Sequence, residues 1–397
     1  MTDPLKPRDA KDVEAAVGWA LAEPKTLEIV GRGSKRGIGR AAQWDLSLDL
    51  SELSGVTLYE PEELVLSAKA GTPLAEIEKL LAEHNQELAF EPIDYGPLLG
   101  GPAGDGTAGG TVAANLSGPR RIKAGAARDH FLGFTAVSGR GETFKSGGRV
   151  VKNVTGYDLC KLMAGSWGTL AAMTDVTVKV LPRAETGQTL LVLGLDDAKA
   201  TQAMSAAMNS PNDVSGAAHL PASVAARLTG AGRAVTALRV EGVAPSVVHR
   251  VHSLESLLKS FGALATLDET TSRPFWKSVR DVVPFAGDDR VIWRISTAPS
   301  RGHEIAAAIG ESEYFYDWAG GLIWLALPSM HDGGAARVRS AVAGNGHATL
   351  IRAAPGLRAS VAVFEPQTQG LAALTRRVKE SFDPKGVLGP GRMVAGV

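Results

Sequence analysis

Gly104-Asp-Gly-Thr-Ala-Gly-Gly-Thr-Val-Ala-Ala-Asn115 sets glycines ahead of small residues and then opens a run that can start a helix. A helix begun there turns its first amide groups and the positive end of its dipole toward the preceding loop, which favours an anion. The adjoining Gly118-Pro-Arg-Arg-Ile-Lys-Ala-Gly125 adds three positive charges. Upstream, Thr26–Val30 reads as a short strand feeding a second glycine loop, Gly31-Arg-Gly-Ser-Lys-Arg-Gly-Ile-Gly39. This is not a Walker A loop, because Arg36 stands where Gly-Lys is required. Nor is it the Rossmann fingerprint: the third glycine falls at Gly37, one place late, and residues 41–50 read as turn and strand rather than helix. What remains is a series of exposed amides, the Ser34 hydroxyl and the cations Arg32, Lys35, Arg36 and Arg40. Such turns form anion-binding nests, for which a pyrophosphate is a natural guest. A solvated basic loop fits the same residues. A third segment, Val150-Val-Lys-Asn-Val-Thr-Gly-Tyr-Asp158, mixes amides, hydroxyls and an aromatic ring, suited either to the edge of a flat polar heterocycle or to capping a helix through Thr155 and Asp158.

Composition narrows the class. The chain has 397 residues, with 42 Lys+Arg against 42 Asp+Glu, so no bulk charge draws it to nucleic acid or acidic lipid. One cysteine, Cys160, makes no internal disulfide and cannot ligate an iron–sulfur cluster. It reads as buried packing beside Leu159 and Leu162. No signal peptide and no stretch of roughly 18 apolar residues is present, which predicts a soluble, cytoplasmic protein without a transmembrane segment. Glycine makes up roughly 12% of the chain (46 residues), against a usual ~7%, and its clusters lie in the first half. There the backbone must approach something closely or turn through positive φ.

The hydrophobic pattern divides the chain in two. Up to about residue 183, short strands alternate with helices. Asp9 caps a first helix that ends at Pro24. Val56–Tyr59 and Leu64–Ala70 read as strands. Thr72 and Pro73 form an N-cap and first-turn pair for a helix carrying Leu74, Ile77, Leu80 and Leu81. Thr107–Ser117 reads as a short helix, and Met173–Leu181 alternates as a strand. From residue 184, repeated strand–helix–strand units predict an α+β, ferredoxin-like layer with helices on one face. The tail from residue 365 holds one more helix and a turn-rich ending.

In order along the chain, Gly31-Arg-Gly-Ser-Lys, Gly109-Gly-Thr-Val-Ala-Ala-Asn115, Lys152-Asn-Val-Thr-Gly-Tyr-Asp-Leu159 and Gly165-Ser-Trp-Gly-Thr-Leu170 resemble the FAD-binding domain of the vanillyl-alcohol oxidase and p-cresol methylhydroxylase (PCMH) type. Phe382-Asp-Pro-x-Gly-x-Leu-x-Pro-Gly-Arg392 resembles the C-terminal signature of its FAD-linked oxidase branch. Gly118-Pro-Arg-Arg, Ala127-Arg-Asp-His-Phe-Leu-Gly133 and Phe275-Trp276 are most similar to the FAD-binding subunits of bacterial glycolate oxidases. The resemblance implies an α+β fold: a two-lobed PCMH-type FAD-binding domain (1–183), a ferredoxin-like cap (184–364), and a tail (365–397) packing back on the first domain. It implies FAD wrapped at the pyrophosphate by Gly31, Arg32, Gly33, Ser34 and Lys35. Thr107, Gly109, Gly110 and Ala114 lie under the diphosphate and ribityl chain. Asn153, Gly156 and Asp158 approach the flavin ring, and Val176 is the last FAD-facing strand residue. No histidine stands at an obvious attachment position, so the FAD is expected to be non-covalent.

For chemistry, a 2-hydroxy acid oxidised by a flavin needs a cationic clamp for its carboxylate and a base for its hydroxyl proton. Arg280 and Arg294, near Trp276 and Trp293, are candidate clamps, although such arginines are equally at home in ion pairs. No motif nominates a base, and the scattered histidines, His249 and His252 included, give no metal spacing. The resemblance implies oxidation of glycolate to glyoxylate. It also implies electrons passing to a complex with a second FAD-containing subunit and an iron–sulfur subunit, with peripheral association to the inner membrane through those partners. Two rivals are a stand-alone FAD-dependent alcohol or hydroxy-acid oxidoreductase and a non-redox structural subunit of the complex.

Overall fold

The computed structural model describes residues 3–148, 156–230 and 232–397. The helix Ala10–Ala22 begins where Asp9 accepts from the Asp12 amide at 2.9 Å, and it buries Val13, Val17 and Ala20. That face packs on two parallel strands, Leu27–Val30 and Leu46–Asp49. Beyond them lies a five-stranded antiparallel sheet in the order 56–60, 65–69, 171–179, 131–138, 143–147. Val137 and Ala172 join it to the small sheet through one apolar cluster. Its other face carries the helices Leu74–Glu83, Ala108–Ala113 and Leu159–Met163. A cleft runs between the small sheet and the large one.

Two local expectations need correction. Thr72 is not the N-cap of the helix 74–83: Pro73 occupies that position, and Thr72 Oγ1 instead donates to Lys69 O at 2.7 Å and accepts from Gly55 N at 3.0 Å, closing a loop. The helix after Thr107 is also shorter than expected, because Ala114 leaves the ladder and Asn115 turns to φ 50°.

The second half is an eight-stranded antiparallel sheet in the order 263–267, 186–193, 235–242, 216–220, 313–317, 322–327, 291–297, 346–352. Each half of it is a β-α-β-β-α-β unit, and the two units meet edge to edge where His219 pairs with Tyr316. Four helices, 197–208, 244–258, 302–309 and 335–342, cover one face. The expectation of helices on one face alone fails. Ala222–Thr229 and Glu269–Arg280 lie on the other, where Val224, Phe275 and Trp276 join Ile93, Tyr95 and Leu98 of the first half in a common core. The reason is packing: the inner face of this sheet is the roof of the first domain, and its apolar residues need covering too.

The two halves are also fastened by buried charge. Glu91 receives both terminal nitrogens of Arg239 at 2.8 and 2.9 Å, and Arg120 makes a two-pronged contact with Glu241 at 2.7 and 2.9 Å. Trp318 Nε1 donates to Gly118 O at 2.9 Å. The tail then returns to the first domain. Leu27 N donates to Val387 O, Gly389 N donates to Leu27 O, and Lys379 Nζ reaches Thr169 O, Leu388 O and Asp383 within 2.8 Å. Replacing Lys379 by Met leaves the fully enclosed Asp383 carboxylate without its cation, a loss of about 3 kcal/mol. The expected outcome is a lowered Tm together with new protease cleavage confined to residues 365–397.

Candidate cofactor cleft and cap junction

The cleft encloses about 660 Å³ of empty space, part of it open to solvent. Its floor is the loop 31–36, its back wall the end of the strand 171–179, and its side the helix 108–113. The two glycine loops meet closely, with only the Thr107 side chain between them. A Cβ on Gly31 would lie 2.5 Å from Thr107 Oγ1, and one on Gly109 would lie 2.7 Å from the Ala70 Cβ. Gly33 turns the first loop through φ 79°. Arg36 N and Ile38 N close its far turn onto Gly33 O and Lys35 O, whereas the amides of Arg32, Gly33, Ser34 and Lys35 donate no hydrogen bond among the described residues. Those four amides form the nest.

The cations sort differently from their order in the sequence. Arg36 is taken by Glu28 and Ser47, Arg32 by Asp105 at 3.0 Å, and Arg40 reaches Ala359 O. In the second group, Arg120 belongs to the interdomain carboxylates, Lys123 pairs with Asp213, and Arg121 lies on the Trp318 ring. None of these three faces the cleft. Lys35 does. Its ammonium touches Ser34 Oγ at 3.1 Å, has no carboxylate within ion-pair distance, and lies 3.5 Å from where a side chain on Gly110 would begin. Burial lowers its pKa to about 8; the charge of Asp94 opposes that shift and Arg392 adds to it.

The helix end at Thr107 supplies less than the sequence suggested. Ala108 N and Gly109 N donate to Thr72 O and Ala70 O, and Gly110 N donates to Thr107 Oγ1, so its first turn is already satisfied. Its contribution is space: Gly109, Gly110, Ala113 and Ala114 line the cleft with almost no side chain.

Of the other expected residues, Gly31 to Lys35, Thr107, Gly109, Gly110 and Ala114 come together around this one cleft. Val176 does not. A bulge at Thr174 keeps Val176 on the same face as Met173, but farther along the strand, under Leu74 and Ile77 in the core. Ala171 and Met173 take the wall position instead. Asp158 caps the helix 159–163 by accepting from Lys161 N at 3.2 Å, and Gly156 is exposed. Asn153 lies outside the described residues. Arg280 fails as a carboxylate clamp, because Asp281 already holds it at 2.8 and 2.9 Å. Cys160 is buried and free, its thiol pushed up to about 12, chiefly by burial.

Two residues of the cleft had not been singled out. Trp167, at φ 55°, closes its far end, held by Trp167 N donating to Ala113 O. Arg392 comes from the tail, sits between the rings of Trp44 and Trp167, and carries a buried Nε with no hydrogen-bond partner. Both stood inside recognisable motifs, and only tertiary folding shows that they share a wall.

Ala114 and Trp167 also line a second cavity under the cap sheet, together with Tyr95, Asn115, Arg294 and Thr349. A part-open trough with free amides and basic residues at one end and Trp167 at the other fits a long ligand that is anionic in its middle and flat at its end. Residues 5–147 match the FAD binding domain family. Over 384 residues the chain is 33% identical to the glycolate oxidase subunit GlcE of Escherichia coli, covering 96% of this chain and 95% of that one. The chain belongs to the GlcE family. This GlcE-family chain is also 31% identical to a D-2-hydroxyglutarate dehydrogenase of Xanthomonas citri, over 44% of its own length and 35% of the other's. It is 27% identical to the glycolate oxidase subunit GlcD of Bacillus subtilis, over 48% and 39%. In fold it superposes on p-cresol methylhydroxylase with a TM-score of 0.73 at 12% identity, covering 98% of this chain and 88% of that one. That likeness establishes the PCMH-type architecture with its α+β cap.

The lysine gives the cleft a pH signature. Below about pH 8 Lys35 carries its proton and attracts an anion; as pH rises through that value the free protein loses the charge, and affinity falls. ADP binding followed by titration calorimetry is expected to weaken several-fold from pH 7 to pH 9.5, and Lys35→Met is expected to bind weakly at both values.

Proposed function

We propose that this chain is the FAD-binding subunit of a glycolate (2-hydroxy acid) oxidase or dehydrogenase complex. Its diphosphate is held by Gly31 to Lys35, and its ribityl chain runs past Thr107, Gly109, Gly110 and Ala114 toward the cap. The observation that carries the reading is the unpaired Lys35 beside four undonated loop amides, in a trough whose walls are kept bare by glycine and alanine. Kinship with GlcE names the substrate class.

When bound, a flavin accepts the two electrons of hydroxy-acid oxidation. The chain's own residues do the rest. The loop amides and Lys35 fix the diphosphate, Trp167 and Arg392 close the wall, and the cap sheet keeps water from the inner end. No histidine lines the cleft, which supports a dissociable FAD. With a single, buried cysteine the chain has no cluster of its own, so electrons leave for an acceptor outside it. A second FAD-containing subunit and an iron–sulfur subunit fit that need, and association with the inner membrane would come through them. No described helix is long and apolar enough to cross a bilayer. The segment around Asn153 and Gly156 remains the candidate to approach the ring.

The purified chain is expected to carry about one FAD, all of it released into the supernatant by acid precipitation. Gly110→Trp, which fills the space beside Lys35, is expected to be colourless with an unchanged far-ultraviolet spectrum. A wild-type chain that folds yet takes up no FAD would end this reading. Substrate bleaching by the isolated chain, without partners, would favour the stand-alone enzyme.

A further inference from the structure

The cavity beyond Trp167 is not explained by the cofactor's diphosphate. It holds about 490 Å³ of empty space between the first domain and the inner face of the cap sheet. Arg294 lies in its wall, on the strand 291–297, opposite Trp324 on one neighbour and Thr349 on the other. Its guanidinium stands over the Trp318 ring, 4.9 Å from the centroid, while Arg121 stands 4.3 Å from the same centroid. Among the described residues neither arginine has a carboxylate within 4 Å or a hydrogen bond to any acceptor. Asp317, whose charge acts on Arg294, is not in ion-pair contact with it and accepts from Trp318 N at 2.7 Å. Elsewhere in the domain junction, Arg120, Arg239, Arg280 and Arg352 all have acidic partners at 2.6–2.9 Å. Two cations around one indole, one of them in the wall of a part-buried cavity, are costly unless something supplies the opposite charge.

Other polar groups point the same way. Among the described residues the Tyr95 hydroxyl makes no hydrogen bond, and burial pushes its pKa up to about 12, so it stays a neutral phenol able to donate or accept. Ile93, Leu116, Ile351 and Phe364 make much of the remaining wall apolar, and the side-chain oxygens of Asn115 and Ser117, which also line it, accept from Arg128 N and Ala127 N.

We infer that this cavity is a binding site for a small carboxylate, with Arg294 as its two-pronged anchor, Trp318 holding the guanidinium flat, and Tyr95 and Thr349 facing the rest of the ligand. The inference rests on the proposed function for the identity of the carboxylate, a 2-hydroxy acid, but not for the site itself. A guanidinium supplies parallel donors that match a carboxylate. Its place next to Ala114 and Trp167, shared with the cofactor cleft, sets such a ligand beside the inner end of that cleft. This gives the chain a substrate site of its own, rather than a purely electron-carrying role.

The probe is oxalate, a planar two-carbon carboxylate that has no α-hydrogen to lose. Its binding to the chain as purified is measured by calorimetry and by Trp fluorescence, alongside the FAD content. The expected result is saturable binding that Arg294→Met weakens at least tenfold with FAD content unchanged, and that Thr349→Val weakens several-fold. Should Arg294→Met fail to fold, Arg294→Lys carries the test, with weakening of at least threefold, because a point charge cannot make the two-pronged contact. Unchanged affinity in these variants overturns the inference. So does loss of FAD on Arg294→Met with oxalate binding intact, which would assign the arginine to the cofactor. Absence of FAD from a wild-type chain that binds oxalate through Arg294 would sink the proposed function and leave this site standing.

Discussion

The first domain depends on close contacts that only glycine allows at Gly31 and Gly109. Gly31 lies so close to Thr107 that a methyl group would reach within 2.5 Å of its hydroxyl, and Gly109 is pressed as tightly on Ala70. The first contact draws the small parallel sheet against the helix 108–113, and the second seats that helix at the end of the strand 65–69 of the large sheet. Between them lies a trough with the loop 31–36 on its floor and glycine and alanine of the helix along one side. The second contact explains why the helix end carries no free donor: its first amides are spent on the carbonyls of Ala70 and Thr72 that hold it in place. The anion site is therefore one loop, not two.

Charge is distributed with a clear division of labour. At the domain junction, Arg120 and Arg239 are matched by Glu87, Glu91 and Glu241, and their coupling lowers Glu241 to about 2. These groups hold the cap at a fixed angle. Lys35 and Arg294, by contrast, face cavities and have no acidic partner within ion-pair distance among the described residues. Because burying an unmatched cation is costly, such residues mark where a ligand completes the protein. The tail adds a third fastening: Lys379 and Asp383 tie residues 387–388 to the small sheet, which carries Arg392 into the cleft wall.

Much of this was legible in the sequence where local chemistry decides structure. Asp9, Thr107 and Asp158 cap helices as their residue types suggest. The glycine loops were recognisable by spacing, and the cleft they form contains most of the expected residues. Elements held by tertiary contact were not legible. The strand Gly216-Ala-Ala-His-Leu220 has little intrinsic preference for extended structure and exists because it is paired on both sides. Without it and the strand 263–267, the doubled β-α-β-β-α-β architecture of the cap could not be seen. Val176 was misplaced by a bulge that no spacing rule reveals. The fate of each arginine was equally hidden, since Arg120, Arg280 and Arg294 differ only in which carboxylates the fold brings to them.

The central claim is that the loop 31–35 grips the middle of a dinucleotide, with its flat end directed toward the cap. An experimental structure of the flavin-loaded chain tests it most directly. The expected result is a diphosphate oxygen within about 3 Å of Lys35 Nζ and of at least two amides of Arg32 to Lys35, with the ring system at the Ala114 and Trp167 end of the cleft, beside the Arg294 cavity. A diphosphate bound elsewhere, with Lys35 turned to a protein carboxylate and the trough filled by the chain's own side chains, would contradict it.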